Sequence, residues 1–275
     1  MRRVGRRSRI VGLVGMAILL INIFAVTFAP LIAQHGPADL VGDVWAAPSA
    51  KAWLGLDNLG RDVLARLLYG GRTSIGLTTT ITALAFVIGV VGGFTAAIAR
   101  QWVDVALSRL VDVLMAIPQF IIALIVLSVL GTSIPVLIGT IGILTSTRIF
   151  RVSRAVGLGI AVMDYVESAR LRGERAGWII LREMLPNALP PLLAEFGVRF
   201  CYTLLFISSL SFLGLGIQPP NADWGSMVRD NAMVINFGGF APLFPATAIA
   251  LLTVGVNLAV DWFVSVYVQT HSEGT

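Results

Sequence analysis

A chain of 275 residues that is 56% hydrophobic, 13% charged and carries a net charge of +5 is not a soluble domain built around one core. Apolar windows of about 18 residues or more recur along its length, so lipid is the solvent for most of it. One cysteine (Cys201) and two distant histidines (His35 and His271) exclude an internal disulfide and a clustered metal site.

The basic residues flank apolar runs rather than forming a patch for nucleic acid. No linker, low-complexity tract or internal repeat divides the chain.

A tail over 1–9 holds Arg2, Arg3, Arg6, Arg7 and Arg9 and leads into an apolar stretch over 10–33. That stretch is too long for the core of a secretory signal and lacks a small-x-small cleavage site. It is expected to remain as the first membrane helix.

Residues 34–72 form an outer loop, in which Val63, Leu64, Leu67 and Leu68 share a face opposite Arg61, Asp62 and Arg66. This predicts a short interfacial helix over 61–69, which either anchors or packs the loop or meets an external binding protein. Five more spans are expected, over Thr73–Ala99, Ala116–Gly131, Ile134–Ile149, Pro191–Gly216 and Phe240–Val266, with a start near Ala106, and Asp112 in the first turns, as the alternative for the third. Pro118 and Pro135 interrupt the third and fourth spans, which are short. The five form a core over 73–266 that includes a polar loop over 150–190, and a tail over 267–275 follows.

With the N-terminus inside, the inner segments hold fourteen arginines. The outer segments hold five basic residues: Lys51, Arg61, Arg66, Arg72 and Arg229. This bias assigns both termini and the polar loop to the cytoplasm.

Hydroxyl-bearing candidates for a substrate path are Thr78, Thr79 and Thr82 on the second span and Ser208 and Ser209 on the fifth. Gly89-x-x-x-Gly93 follows the threonines on the same helix, a spacing that favours close helix packing. Glu195 and Arg199 are four apart on the fifth span, either neutralising each other or serving transport. The outer loop Gln218–Gly239 is long for a simple turn and reads either as a structured cap over the pathway or as an exposed ordered loop.

The polar segment Asp164–Pro186 is the most distinctive part of the chain. Glu167 is followed by two small residues, Ser168 and Ala169, then by Gly173, which suits a backbone reversal. From Trp178 onward, Ile179, Ile180, Met184 and Leu185 form an apolar stripe, and Pro186, Pro190 and Pro191 are expected to halt the helix. By composition alone this could be an amphipathic hairpin on the lipid surface, or a docking element.

The spacing Glu167-Ser168-Ala169-x-x-x-Gly173, with Pro186 thirteen residues further on, resembles the EAA motif of ABC-importer permeases. Trp53–Ser74 (WLGLDNLGRDVLARLLYGGRTS) and Leu210–Met227 (LSFLGLGIQPPNADWGSM) are similar to segments of the dipeptide/oligopeptide/nickel permeases, in the same order. Ser168 departs from the motif, where alanine is usual.

The resemblance implies an all-α type I importer permease in the bacterial inner membrane, with six helices and a cytoplasmic coupling helix. Glu167, Ser168, Ala169, Arg170, Gly173 and Pro186 would form the coupling site. The partners implied are a second homologous permease, two cytoplasmic ATPases carrying ATP and Mg, an extracytoplasmic binding protein and membrane lipid. The solute would be a short peptide or a related small molecule.

The only lysine, Lys51, follows no glycine-rich turn, so the chain has no P-loop of its own. No cofactor or catalytic residue is expected in it. An ion-driven secondary transporter would instead show inverted repeats and paired broken helices, and a membrane enzyme would need a clustered nucleophile and base.

Overall fold

The structure, a computed structural model, describes residues 6–272, with side chains over 10–266. Of the expected tails, 1–5 and 273–275 lie outside the described residues, while 6–9 and 267–272 continue the first and last helices.

The described residues are helical apart from loops and isolated bridges. In chain order, α1 (Arg6–Thr27) and α2 (Ala29–Ile32) precede an irregular segment. The helices α3 (Val63–Ile98), α4 (Gln101–Ala116), α5 (Gln119–Leu130) and α6 (Ile134–Ala161) follow. The polar loop forms α7 (Asp164–Leu171), α8 (Ala176–Ile179) and α9 (Leu185–Asn187), and the chain ends with α10 (Leu189–Phe212), α11 (Trp224–Asn231) and α12 (Leu243–Ser272). By length and composition α1, α3, α6, α10 and α12 can each cross a membrane, and α4 and α5 together make a sixth, broken span bent by 81°.

Small residues set the helix directions. Gly12 faces Trp262 and Gly255 faces Ile18, so α1 and α12 run antiparallel. Gly197 on α10 lies against Val260, and Cys201 against the Thr253 carbonyl, so α10 is antiparallel to α12 as well. The start of α1, the start of α10 and the end of α12 therefore share one end of the bundle with α7–α9, called here the loop end.

α3 and α6 run parallel in close contact. A Cβ on Gly89 would come within 2.6 Å of the Ile149 Cβ, and one on Gly93 within 2.7 Å of the Phe150 carbonyl oxygen. The central core joins Leu77 and Ile81 of α3, Leu127 of α5, Leu137 and Ile141 of α6 and Leu210 of α10.

Three expectations are corrected. The predicted interfacial helix over 61–69 is not a separate element, because α3 is continuous from Val63 to Ile98. Asp62 caps it, accepting from the Leu64 amide at 2.9 Å. Arg61 and Arg66 do not face the lipid surface either: Asp57 Oδ2 accepts from Arg61 Nε at 2.8 Å and lies 3.2 Å from Arg66 Nε, all three side chains being buried. The second Gly of the Gly70-Gly71 pair admits the Trp224 ring, whose Nε1 donates to the Leu67 carbonyl at 2.9 Å.

The fourth span extends past Ile149 to Ala161, because α4 supplies acids for its arginines. Arg151 Nη2 meets Asp112 at 2.8 Å and Arg154 Nη2 meets Asp104 at 2.6 Å. The third span is two helices, since Ile117 precedes a proline and takes an extended conformation (φ −101°, ψ 138°).

The outer loop Gln218–Gly239 is ordered around α11. Asp223 and Ser226 form a capping box at its start. Burial pushes the Asp223 carboxyl above the usual carboxylate range, opposed by the hydrogen bonds from Ser226 and Gly225.

Candidate functional site

α7 is a two-sided helix. Val166 and Ala169 are fully buried and share a core with Phe94 of α3, Ile160 of α6, Ile179 of α8, Met184 and Leu192 of α10. Glu167, Ser168, Arg170 and Leu171 are exposed on the other side. The four-residue segment Glu167–Arg170 is thus divided: Ala169 holds the helix down, and its three companions form the outward surface.

α7 ends in a Schellman motif. The Gly173 amide donates to the Arg170 carbonyl at 2.9 Å, and the Glu174 amide to the Ala169 carbonyl at 3.2 Å. Gly173 takes φ +79° at the position where this motif demands a left-handed residue. The chain then turns back, and Arg172 meets Glu183 at 3.8 Å across the elbow. Burial, with a contribution from the nearby Glu183 carboxylate, raises the Tyr165 phenol above its ordinary value.

The stripe read from the sequence packs inward through Ile179 and Met184, with Ile180 and Leu185 partly covered. Pro186 does not halt the helix as expected. It follows a π-wound turn over Ile180–Met184, where the Leu185 amide donates to the Ile180 carbonyl, and lies exposed within α9. The wider turn precedes the residue that has no N–H to continue the ladder. Pro190 and Pro191 open α10 rather than closing its predecessor.

The five hydroxyl residues of the expected substrate path do not come together. Thr78 and Thr82 are fully buried within the bundle, and Thr78 donates back to the Ser74 carbonyl at 2.7 Å. Thr79 borders an apolar groove with Leu19, Phe200 and Leu252. Ser208 and Ser209 line a different hollow beside Phe120 and Gly225.

A polar cavity of about 210 Å³ between α5, α6 and α10 is lined by Gln119, Arg148, Arg199, Tyr202, Thr203 and Phe206, among others. The Glu195–Arg199 spacing marked part of it in the sequence. Nothing local announced that Gln119 and Arg148 would join from two other helices.

Residues 88–270 match the family described as the binding-protein-dependent transport system inner membrane component. A protein described as a peptide transport system permease of Brucella suis biovar 1 is 38% identical over 252 residues, covering 90% of this chain and 84% of that protein. The dipeptide transport system permease of Alkalihalophilus pseudofirmus is 30% identical, covering 90% and 82%. The glutathione transport system permease of Pectobacterium atrosepticum is 32% identical, covering 78% and 71%.

Among solved structures, an inward-facing form of the MetNI methionine ABC transporter matches with a TM-score of 0.61 at 17% identity, over 73% of this chain and 95% of that one. The broken third span, the parallel α3–α6 pair and the elbow built on Gly173 thus occur in a chain that matches permeases over most of its length. The chain belongs to the binding-protein-dependent transport system inner membrane component family, the multi-pass permease subunits of bacterial ABC importers.

Proposed function

We propose that this chain is one permease of an ATP-driven importer that carries short peptides into the cytoplasm, and that α7 docks on a partner ATPase. The observation that carries the docking is the two-sided α7. An exposed Glu167–Ser168–Arg170 surface stands on a buried Val166–Ala169 footing that reaches α3, α6 and α10. Force applied to such a surface is transmitted to three spans at once, whereas a lipid-lying hairpin would turn its apolar residues outward.

The peptide assignment is supported by the relatives, whose names specify peptides, dipeptides and glutathione. The cytoplasmic orientation is supported by the excess of arginine on the inner segments and by the shared loop end of α1 and α12. In this reading the partners are a second permease, two ATPases holding ATP and Mg, and an external binding protein.

The test is to purify the chain with its associated subunits from its native membrane and to reconstitute them in vesicles. Peptide uptake should require ATP on the α7 side. Uptake driven by an ion gradient without ATP would replace this reading with a secondary transporter.

A further inference from the structure

Arg148 differs from the other arginines of α6 and α10. Arg151 holds Asp112, Arg154 holds Asp104 and Arg199 holds Glu195 at 2.6 Å. Among the described residues Arg148 has no ion pair or hydrogen bond, and it is an exposed side chain fourteen residues after Ile134, toward the inner end of the apolar part of α6. An intramembrane cation ordinarily faces an acid or an aqueous path, and Arg148 borders the polar cavity.

Thr203 adds an independent sign. It is 2% exposed and lines the same cavity, and its hydroxyl, like those of Thr82, Ser153 and Ser211 elsewhere in the bundle, has no hydrogen-bond partner. Thr78, Thr79 and Thr80 each donate to the carbonyl four residues earlier, so a helical threonine in this chain has that option. A buried hydroxyl without a partner carries a desolvation cost that a hydrogen bond from outside the chain would relieve.

The remaining walls complete a site for a small anion. Glu195 matches the charge of Arg199, whose guanidinium lies 5.2 Å from the centre of the Tyr202 ring. The cavity therefore keeps the one positive charge of Arg148. Phe206, edge-on to Phe120 at 5.4 Å, supplies an apolar wall. A volume of about 210 Å³ holds a carboxylate and its neighbouring atoms rather than a whole peptide.

We propose that this cavity is a station on the transport path that receives the carboxylate end of the solute, with Arg148 as charge partner and Thr203 as second donor. The assignment rests on the importer reading and names the group of the peptide that this permease recognises. A guanidinium can grip a carboxylate through two parallel hydrogen bonds.

The test uses the reconstituted importer with its unaltered binding protein, and a radiolabelled dipeptide compared with its C-terminal amide. Arg148→Gln should lower ATP-driven uptake of the acid about tenfold, while uptake of the amide changes about twofold or less. Arg148→Lys should recover most of the loss, and Thr203→Val should lower acid uptake preferentially.

An equal fall for acid and amide in Arg148→Gln, or no fall in either, would overturn the proposal. An equal fall would mean that the arginine serves the fold or meets an acid of the second permease. If Arg148→Gln does not reach the membrane, Arg148→Lys and Thr203→Val decide by the same acid-to-amide ratio. Failure of the wild-type importer to move either peptide with ATP would overturn the importer reading itself, and this assignment with it.

Discussion

At Gly173 the backbone sits at φ +79° with open space where a Cβ would point, so substitution there tests conformation alone. Alanine should cost about 1–2 kcal/mol, and valine more, because a β-branched side chain resists this region. Thermal unfolding of the purified chain and ATP-driven uptake should both rank Gly above Ala above Val. Equal tolerance of Ala and Val would remove the conformational argument for the elbow.

Gly173 was legible because its role is local. Asp57 was not, because its partners Arg61 and Arg66 read as the polar side of an amphipathic helix and only the fold turns them inward. Asp57→Ala would leave both cations buried without their shared acid, at a cost of about 3–5 kcal/mol. The expected readout is a large drop in thermal stability or in the amount of chain recovered from the membrane. An unchanged melting temperature would place the network closer to water than the geometry indicates.

Whole elements were legible where apolar residues alone define them and illegible where charges are matched by another helix. The start of α3 and the last turns of α6 look too polar to continue a span. In the fold, Asp57 and the α4 acids Asp104 and Asp112 neutralise the arginines involved. Pro118 signalled the break between α4 and α5, but the 81° between them depends on the packing of α4 against α6.

The Gly89-x-x-x-Gly93 spacing, by contrast, is read directly in the α3–α6 contact. Gly93→Ala would drive a Cβ to 2.7 Å from a backbone oxygen and should destabilise by about 1–3 kcal/mol. Gly76→Ala on the same helix meets nothing within 4 Å and should be neutral or stabilise by about 0.5–1 kcal/mol. Paired unfolding measurements that fail to separate the two variants would show that α3 shifts easily along α6.

The molecule as a whole places the two-sided α7 at one end and an ion-paired cap at the other, joined by α3, which enters both. The motif at Glu167–Gly173 marked the short helix and its elbow in the sequence, but not which residues face outward, since that depends on Phe94, Met184 and Leu192 from distant segments. The two faces of α7 make separate predictions. Glu167→Lys reverses an exposed charge, so the protein should reach the membrane with unchanged thermal stability while uptake and substrate-stimulated ATPase activity fall together. Ala169→Leu leaves the outward surface intact but overfills a fully buried position. It should lower stability by about 1–3 kcal/mol and weaken coupling by lifting α7 from its footing. The contrast separates docking from transmission: one variant loses coupling at full stability, the other loses both. If Glu167→Lys retained normal uptake and stimulated ATPase activity, the ATPase would have to grip the permease elsewhere. The inward packing of α7 would then explain only how the elbow folds, not how it is driven.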